Sequence, residues 1–323
     1  MRVVRKIVVG LFILSIICLY VVIYAIPEVT DVLTKTETLE YGNLRIVDNV
    51  VCYFIRNETV YTAARSGNVN YYVADAIHVK KGTKILEVVF RAPDDPDAVS
   101  IYGGIIDRLE GDSVTNGEYA SEFNGITSYF IDGYENYFTP ETMRELKYKN
   151  VSGLNATPVN VVRDFTLRGE PLYKICNNRE WFLVCWVDAA NISKYNRGNS
   201  VTIELPEGDV KAVIEDIIED GDKWLIVFSS NRFYDDFAKI RSAPAEVVLS
   251  DSNGIIIRNE SITVSDGKVG VYIKTKSGSY VFRQIKIITT DGKNSITEVS
   301  YFYDDEGERV STVNIHDEIL RNP

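Results

Sequence analysis

The stretch "SGNVNYYVADAIHVKKGTKILEV", residues 66–88, decides the fold predicted for this chain. Aromatic and β-branched residues alternate there with polar ones, a pattern typical of short β-strands. Gly67 opens the first strand, and Lys80-Lys81-Gly82 forms a turn that leads into the second. Residues 66–88 therefore predict two short strands around a tight turn.

A second stretch, "FNGITSYFIDGYENYFTPET" (residues 123–142), repeats this pattern approximately. Each copy has a glycine (Gly67 or Gly125), an aromatic-rich strand and an acidic turn. Two such half-motifs resemble the lipoyl and biotinyl carrier modules, which are barrel-sandwich hybrids. A carrier needs a modifiable lysine at an exposed tip, but the expected tip, residues 131–136, contains none. The two lysines of the first copy are expected on a solvated face, so the resemblance implies a carrier fold without a cofactor.

The rest of the chain is also dominated by strand patterns. "KWLIVF" (223–228) is a nearly continuous apolar run, as a buried strand would be, and residues 269–288 predict a hairpin. Helix signals are few. The clearest is "YFTPETMRELKYKN" (137–150), with Thr139 as N-cap. These patterns predict a mainly β protein.

Residues 7–26, "IVVGLFILSIICLYVVIYAI", carry no charge and predict a transmembrane helix. A helix of this length rises about 30 Å, the thickness of a bilayer core. Basic residues precede it and acidic residues follow, so residues 1–6 are expected in the cytosol. A cleaved signal peptide is the alternative, but "YAIPEV" (24–29) is a poor cleavage site. We therefore expect a single-pass protein of the cell membrane whose bulk is extracytoplasmic.

The charge and the cysteines exclude two classes of protein. A net charge of −11 fits an exported domain and argues against nucleic-acid binding. Three cysteines lie outside the predicted anchor, Cys52, Cys176 and Cys185, and a low, odd count is not a disulfide framework. A hairpin would place Cys176 and Cys185 about 13 Å apart on one face, too far for a bond. We expect three buried thiols.

Signatures of catalysis are missing from the sequence. Its only histidines are His78 and His316, and no nucleophile elbow, Walker loop or zinc-protease helix occurs. The adjacent residues His316-Asp317-Glu318 point in different directions and make a poor metal site. The sequence therefore predicts no enzyme, no cofactor and no metal site.

In the order of its segments, the chain resembles the HlyD-like membrane fusion proteins, also called periplasmic adaptors, over about residues 36–290. After the two half-motifs, "PLYKICNNREWFLVCWVDAANISKYNRGNSVTIEL" (171–205) resembles the family's entry into a six-stranded β-barrel. Trp181 and Gly198 stand at recognisable positions of that pattern. "GIIIRNESITVSDGKVGVYIK" (254–274) resembles the link to a membrane-proximal domain.

The chain departs from the family in two places. Members that reach an outer-membrane channel carry a long helical hairpin between the half-motifs. Here the gap, residues 91–120, holds Pro93, Pro96 and Gly103-Gly104, which disfavour helices. The resemblance thus implies a short form that lacks the hairpin. Residues 301–323 match no usual family tail, and their acidic turn predicts one more hairpin.

The fold class expected from all of this is mainly β, with an N-terminal transmembrane helix. The predicted segments are the cytosolic N-terminus 1–6, the anchor 7–26, the linker and first membrane-proximal strands 27–58, the barrel-sandwich hybrid domain 59–170 with a short insertion 90–120, the β-barrel domain 171–250, and the membrane-proximal β domain with an acidic tail 251–323. The residues expected to be important for the fold are Gly67, Gly82, Gly125, Trp181 and Gly198, with the glycines at turns that need positive φ.

The resemblance implies a non-enzymatic adaptor, an accessory or assembly subunit of an export or efflux system. Its expected partners are membrane or envelope proteins such as a transporter permease, and the lipid bilayer through residues 7–26. A homo-oligomer is left open. The alternative is a cell-envelope or cell-division scaffold that reuses the adaptor fold, because the hairpin is missing and fold does not fix function.

Overall fold

The structure, a computed structural model, describes residues 10–20, 35–95 and 97–323. Residues 10–20 form a helix (α1) with exposed side chains. Within the described ranges, no helix combines the length and the apolar character needed to cross a membrane. The anchor predicted over residues 7–26 includes residues 7–9 and 21–26, which lie outside the described residues.

The described chain divides into two compact units, residues 47–249 and residues 1–46 with 250–323. The strands are β1 (Thr36–Thr38), β2 (Glu40–Ile55), β3 (Glu58–Thr62), β4 (Gly67–Tyr71), β5 (His78–Val79), β6 (Leu86–Phe90), β7 (Gly125–Ser128), β8 (Phe130–Ile131), β9 (Val159–Asn160), β10 (Phe165–Thr166), β11 (Pro171–Cys176), β12 (Trp181–Asp188), β13 (Ser200–Leu205), β14 (Gly208–Asp220), β15 (Lys223–Ser230), β16 (Ser242–Arg258), β17 (Thr263–Ser265), β18 (Lys268–Lys274), β19 (Tyr280–Gln284), β20 (Ile287–Thr290), β21 (Asn294–Thr297), β22 (Tyr301–Tyr303), β23 (Arg309–Ser311) and β24 (Glu318–Leu320). The other helices are α2 (Gly103–Leu109), α3 (Tyr148–Val151) and the 3-10 helices η1 (Met143–Glu145), η2 (Ala189–Lys194) and η3 (Asn259–Ser261).

Two small sheets form what we call the sandwich module, residues 58–176. One sheet has the order β10-β4-β6 and the other β3-β11-β7-β5. Both contribute to one apolar core, for example through Val69 and Leu86 from the first sheet and Val60 and Ile175 from the second. The stretch at residues 66–88 supplies strands to both sheets, because β4 and β6 pair with each other while β5 pairs with β7.

A closed barrel follows, which we call the barrel module. Its strands have the order β13-β14-β15-β12-β2-β16, and β16 pairs back onto β13 to close a ring of six. Every second residue of a strand points inward. Trp181, Leu183 and Cys185 of β12 therefore pack in the barrel interior with Phe54 of β2.

Strand β12 is buried on its outer face as well. Phe138, Met143, Leu146 and Val151 cover that face and pack in one cluster with Val184. The predicted buried strand at 223–228 is confirmed as β15, which lies beside β12 in the barrel.

The helix predicted over residues 137–150 is wrong. That segment contains only η1 and the first part of α3, and Lys147 between them is extended. The break lies at Leu146 and Lys147, whose extended backbone separates η1 from α3. The broken segment packs Phe138, Met143 and Leu146 in one cluster with the outer face of the barrel.

The smaller unit is also built of strands. Its main sheet has the order β1-β24-β18-β17, with β19 paired to β18. The predicted hairpin at 269–288 is confirmed, since β18 and β19 pair in antiparallel fashion around Gly278. The hairpin predicted in the tail is confirmed as β22 and β23. The end of the tail, β24, pairs with β1.

Candidate functional site

Six ionisable side chains meet in the interior where the sandwich module joins the barrel module. All six side chains are fully buried. This buried charge network contains three cations and three anions: Arg56, Lys174, Arg241, Glu58, Asp132 and Glu135.

The network draws on both modules because of where its residues lie on the strands. Arg56 directly follows the last residue of β2, and Arg241 directly precedes β16. Glu58 opens β3 and Lys174 lies within β11. The turn after β8 supplies the two remaining carboxylates. Barrel strands and sandwich strands therefore meet at one cluster of charge.

Glu58 is surrounded by cations. Its carboxylate lies 2.6 Å from Arg241 Nη2, 2.9 Å from Lys174 Nζ and 2.9 Å from Arg56 Nε. Arg241 Nε also contacts Asp132 Oδ2 at 2.8 Å. Because the guanidinium of Arg241 is a planar fork, it can hold two carboxylates from different segments at once.

Backbone groups add further hydrogen bonds to the network. The amides at positions 132 and 133 donate to the Glu135 carboxylate at 3.1 and 2.9 Å. Lys174 Nζ donates to Glu135 at 3.2 Å. Arg241 Nη1 donates to the carbonyl of Phe54, and Arg56 Nη1 donates to the carbonyl of Ile240. A buried charge is tolerated only with partners of this kind.

The surroundings shift the pKa values of these groups in different directions. Burial by itself raises the pKa of the Glu58 carboxyl, but the three cations outweigh it and hold this pKa well below its ordinary value. The pKa of Asp132 is lowered in the same way, mainly by Arg241. For Glu135 burial prevails and the pKa is raised. Burial lowers the pKa of Lys174, but Glu58 and Glu135 reverse this and raise it.

This chemistry supports structure rather than reaction. Each carboxylate of the network faces a cation at contact distance. Among the described residues, no group of three or more His, Cys, Asp or Glu is placed to hold a metal ion. The network instead ties the ends of β2 and β16 to the sandwich module, which fixes how the two modules are joined.

Sequence reasoning missed this network. The segment 131–136 was expected to be an exposed carrier tip, but Asp132 and Glu135 are buried within it, because their carboxylates pair with Arg241 and Lys174. A signal was present in β11, where Lys174 interrupts the apolar residues of "PLYKIC". A charged residue inside a buried strand calls for a buried partner.

The glycines expected at turns divide into two kinds. Gly82 and Gly198 have φ values of +84° and +87°, in the left-handed region that favours glycine. Gly67 and Gly125 do not, so the expectation of positive φ is wrong for them. They lie where strands pack too closely for a side chain. A Cβ at Gly67 would lie 2.1 Å from the carbonyl oxygen of Val89.

Trp181 lies at the start of β12 and is almost fully buried. Its ring stacks on Phe54 with 5.5 Å between the centroids. Its indole N–H donates to the carbonyl of Arg232 at 3.0 Å. It therefore fills the barrel interior close to the point where the chain returns from the sandwich module.

Comparison with known families matches both modules. An RND-related barrel-sandwich hybrid domain matches residues 58–177, and an RND-related β-barrel domain matches residues 181–251. No curated protein matches the chain.

Several solved structures are similar. MacA from Actinobacillus actinomycetemcomitans is 12% identical with a TM-score of 0.36, over 89% of this chain and 99% of that chain. ZneB from Cupriavidus metallidurans is 10% identical with a TM-score of 0.31, over 90% of this chain and 92% of that chain. The periplasmic adaptor protein EmrA is 8% identical with a TM-score of 0.34, over 65% of this chain and 98% of that chain.

The two matched domains occur in the predicted order and together cover more than half of the chain. This chain therefore belongs to the HlyD-like membrane fusion proteins, or periplasmic adaptors, which are not enzymes.

Proposed function

We propose that this protein is a membrane-anchored extracytoplasmic adaptor that acts as an accessory or assembly subunit of an export or efflux system. The observation that carries the proposal is the pair of RND-related domains in sequence. The uncharged stretch at residues 7–26, with basic residues before it, supports a single-pass anchor with a cytosolic N-terminus.

The proposed partners are membrane proteins, above all a transporter permease. The buried charge network supports this role, because an adaptor must hold its modules in a fixed arrangement to bridge other subunits. A network with every charge paired does this without exposing charge to solvent.

A second candidate function is a cell-envelope or cell-division scaffold. It is favoured by the segment between the two half-motifs. Among the described residues between β6 and β7, the helix is α2, which has seven residues. At about 1.5 Å per residue it spans roughly 10 Å, so this segment contains no long hairpin. Fold alone does not decide between the two roles.

The test is recovery of partners from the native membrane. The full-length protein, tagged at its C-terminus, is extracted in mild detergent, and co-purifying proteins are identified by mass spectrometry. A matched control carries an unrelated transmembrane segment of equal length in place of residues 7–26. Partners bound by the extracytoplasmic part stay with this control, whereas those bound through the anchor are lost.

We expect a transporter permease or ATPase in near-stoichiometric yield, with both the wild type and the control. Recovery of division or wall-synthesis proteins without any transporter contradicts the export role and supports the scaffold. Recovery of neither class contradicts both proposals.

A further inference from the structure

Two cysteines of the barrel module face each other across neighbouring strands. Strands β2 and β12 pair in antiparallel register, with Val184 opposite Tyr53. Continuing this register by one residue places Cys185 opposite Cys52. Both are free cysteines and both are fully buried.

The two thiols also point to the same side. Cys52 and Cys185 pack in the barrel interior, whereas their neighbours Tyr53 and Val184 belong to the cluster on the outer face. Cys52 also raises the pKa of the Cys185 thiol, as expected for two neighbouring thiols. Directly opposed residues of antiparallel strands have Cα atoms about 4.5–5.5 Å apart, within the range of about 4.4–6.8 Å that a disulfide spans.

The cysteine pair lies close to the points where the chain leaves the barrel and returns to it. The chain leaves the barrel at Ile55, the end of β2, and returns at Trp181, the start of β12. Everything between these residues is the sandwich module and its connections. A covalent bond between Cys52 and Cys185 would therefore link the two barrel strands between which the sandwich module is inserted.

We propose that Cys52 and Cys185 form a cross-strand disulfide that joins barrel strands β2 and β12 beside the points where the chain leaves for the sandwich module and returns from it. The inference rests on the extracytoplasmic location in the proposed function, because disulfides persist in oxidising compartments. The oxidant is a disulfide-bearing compound or protein. Two thiols and one oxidant disulfide become the Cys52–Cys185 disulfide and two oxidant thiols, through a mixed-disulfide intermediate.

The bond must form during folding. In the folded barrel, the interaction with Cys52 and burial raise the pKa of the Cys185 thiol. A neutral, buried thiol is a poor nucleophile. Exchange with the oxidant is therefore expected while β12 is still exposed, before the barrel closes.

Cys176 provides an internal control. It lies opposite Glu58 and Ile126 in the sandwich module, and its thiol donates to Glu58 at 3.2 Å. Neither neighbouring strand places a cysteine opposite it. It should stay a free thiol under the same conditions.

The test counts free thiols in the full-length protein. Cells are quenched with acid, and the protein is unfolded and alkylated with or without prior reduction. Its intact mass then gives the number of alkylated cysteines, and peptide mapping identifies them. Of its four cysteines, we expect two to be alkylated without reductant, Cys18 and Cys176, and four after reduction. In addition, protein that is reduced in urea and returned to detergent with reductant present should melt about 5–15 °C below protein treated in the same way without reductant. Cys52→Ala should abolish this sensitivity, and Cys176→Ala should keep it.

Four alkylated cysteines without reductant, or a bridge that includes Cys176, overturns the inference. An impermeant maleimide applied to intact cells carrying Val99→Cys separates this result from failure of the proposed function. If that cysteine is labelled while four native thiols are free, only the disulfide fails. If the cysteine at position 99 is not labelled and all four native thiols are free, the proposed extracytoplasmic location is contradicted as well.

Discussion

At the scale of single residues, Arg241 joins segments that are far apart in sequence. Its guanidinium contacts Glu58, Asp132 and the carbonyl of Phe54 while its side chain is fully buried. No other cation of the network contacts Asp132 within salt-bridge distance. Loss of Arg241 would leave that carboxylate buried without a charged partner.

Arg241→Met is therefore expected to destabilise the protein by about 3–5 kcal/mol, the usual cost of breaking a buried ion pair. The measurement is the free energy of unfolding in urea, followed by tryptophan fluorescence. Arg144→Met is the matched control. Arg144 pairs with Glu215 and Asp216 but is 43% exposed, so its loss should cost at most about 1 kcal/mol. Equal costs for the two variants would contradict the structural role of the network.

Gly67 tests the close approach of two strands. Gly67→Ala places a Cβ 2.1 Å from the carbonyl oxygen of Val89 in β6, a backbone atom that cannot move aside alone. We expect a loss of about 1–3 kcal/mol, typical of overpacking, measured as a lower melting temperature. Gly117→Ala is the control, because a Cβ there meets open space. If both variants have the same melting temperature, Gly67 is not needed for the packing of β4 on β6.

At the scale of elements, the network acts at the ends of strands. The carboxylates of Glu58 and Asp132 lie at the start of β3 and after β8, and cations next to β2 and β16 hold their pKa values down. A carboxyl with a lowered folded pKa contributes stability above its unfolded pKa and loses it as the pH falls through the folded value. The junction of the modules should therefore weaken in acid.

We expect the free energy of unfolding to fall as the pH drops below about 4.5, the ordinary pKa of a glutamate. Glu135 acts in the opposite direction, because its raised pKa makes its ionisation costly as the pH rises through the folded value. Glu58→Gln provides the comparison. It should be less stable than wild type at pH 7, and the difference should shrink towards pH 3. If the difference in free energy of unfolding between Glu58→Gln and wild type does not change with pH, Glu58 is not the source of the acid sensitivity.

The raised pKa of Lys174 sets a limit at high pH to the stability that the network contributes. A cation with a raised folded pKa contributes stability below its unfolded pKa, which is lost as the pH rises through the folded value. This loss begins above pH 10.5, the ordinary pKa of lysine. The network is therefore expected to be intact across the whole neutral range.

At the scale of the whole molecule, the proposed topology places residues 1–6 in the cytosol and the residues after the anchor outside the cell membrane. Val99 is 87% exposed in the larger unit, so a cysteine placed there is accessible from the side on which that unit lies. Replacing an exposed side chain usually changes stability by less than about 0.5 kcal/mol. Position 99 therefore reports on location without disturbing the fold.

We expect Val99→Cys to be labelled by an impermeant maleimide in intact cells. Val3→Cys, before the proposed anchor, is the control and should be labelled only after the cells are opened. Gel shift or mass spectrometry reads both reactions against the parent protein. Labelling of position 3 but not position 99 in intact cells would reverse the proposed orientation.

The sequence by itself determined the features that depend on neighbours along the chain. Alternation at period two predicted the strands, the Gly278 and acidic turns predicted hairpins, and the prolines and glycines of residues 91–120 predicted that the long hairpin is missing. These signals are local, because a strand or a turn is specified within a few residues. They were sufficient for the mainly β fold, with its barrel-sandwich hybrid and β-barrel domains, and for the family.

Tertiary structure alone decided which distant residues meet. The register of β2 against β12 sets Cys185 opposite Cys52, although the nearest cysteine to Cys185 along the chain is Cys176. Closure of the barrel likewise brought Arg241 to Glu58. Such contacts depend on strand order and register, which the whole core sets by burying one face of each strand. No local pattern carries that information, so the charge network and the facing cysteines emerge only when the strands are assembled.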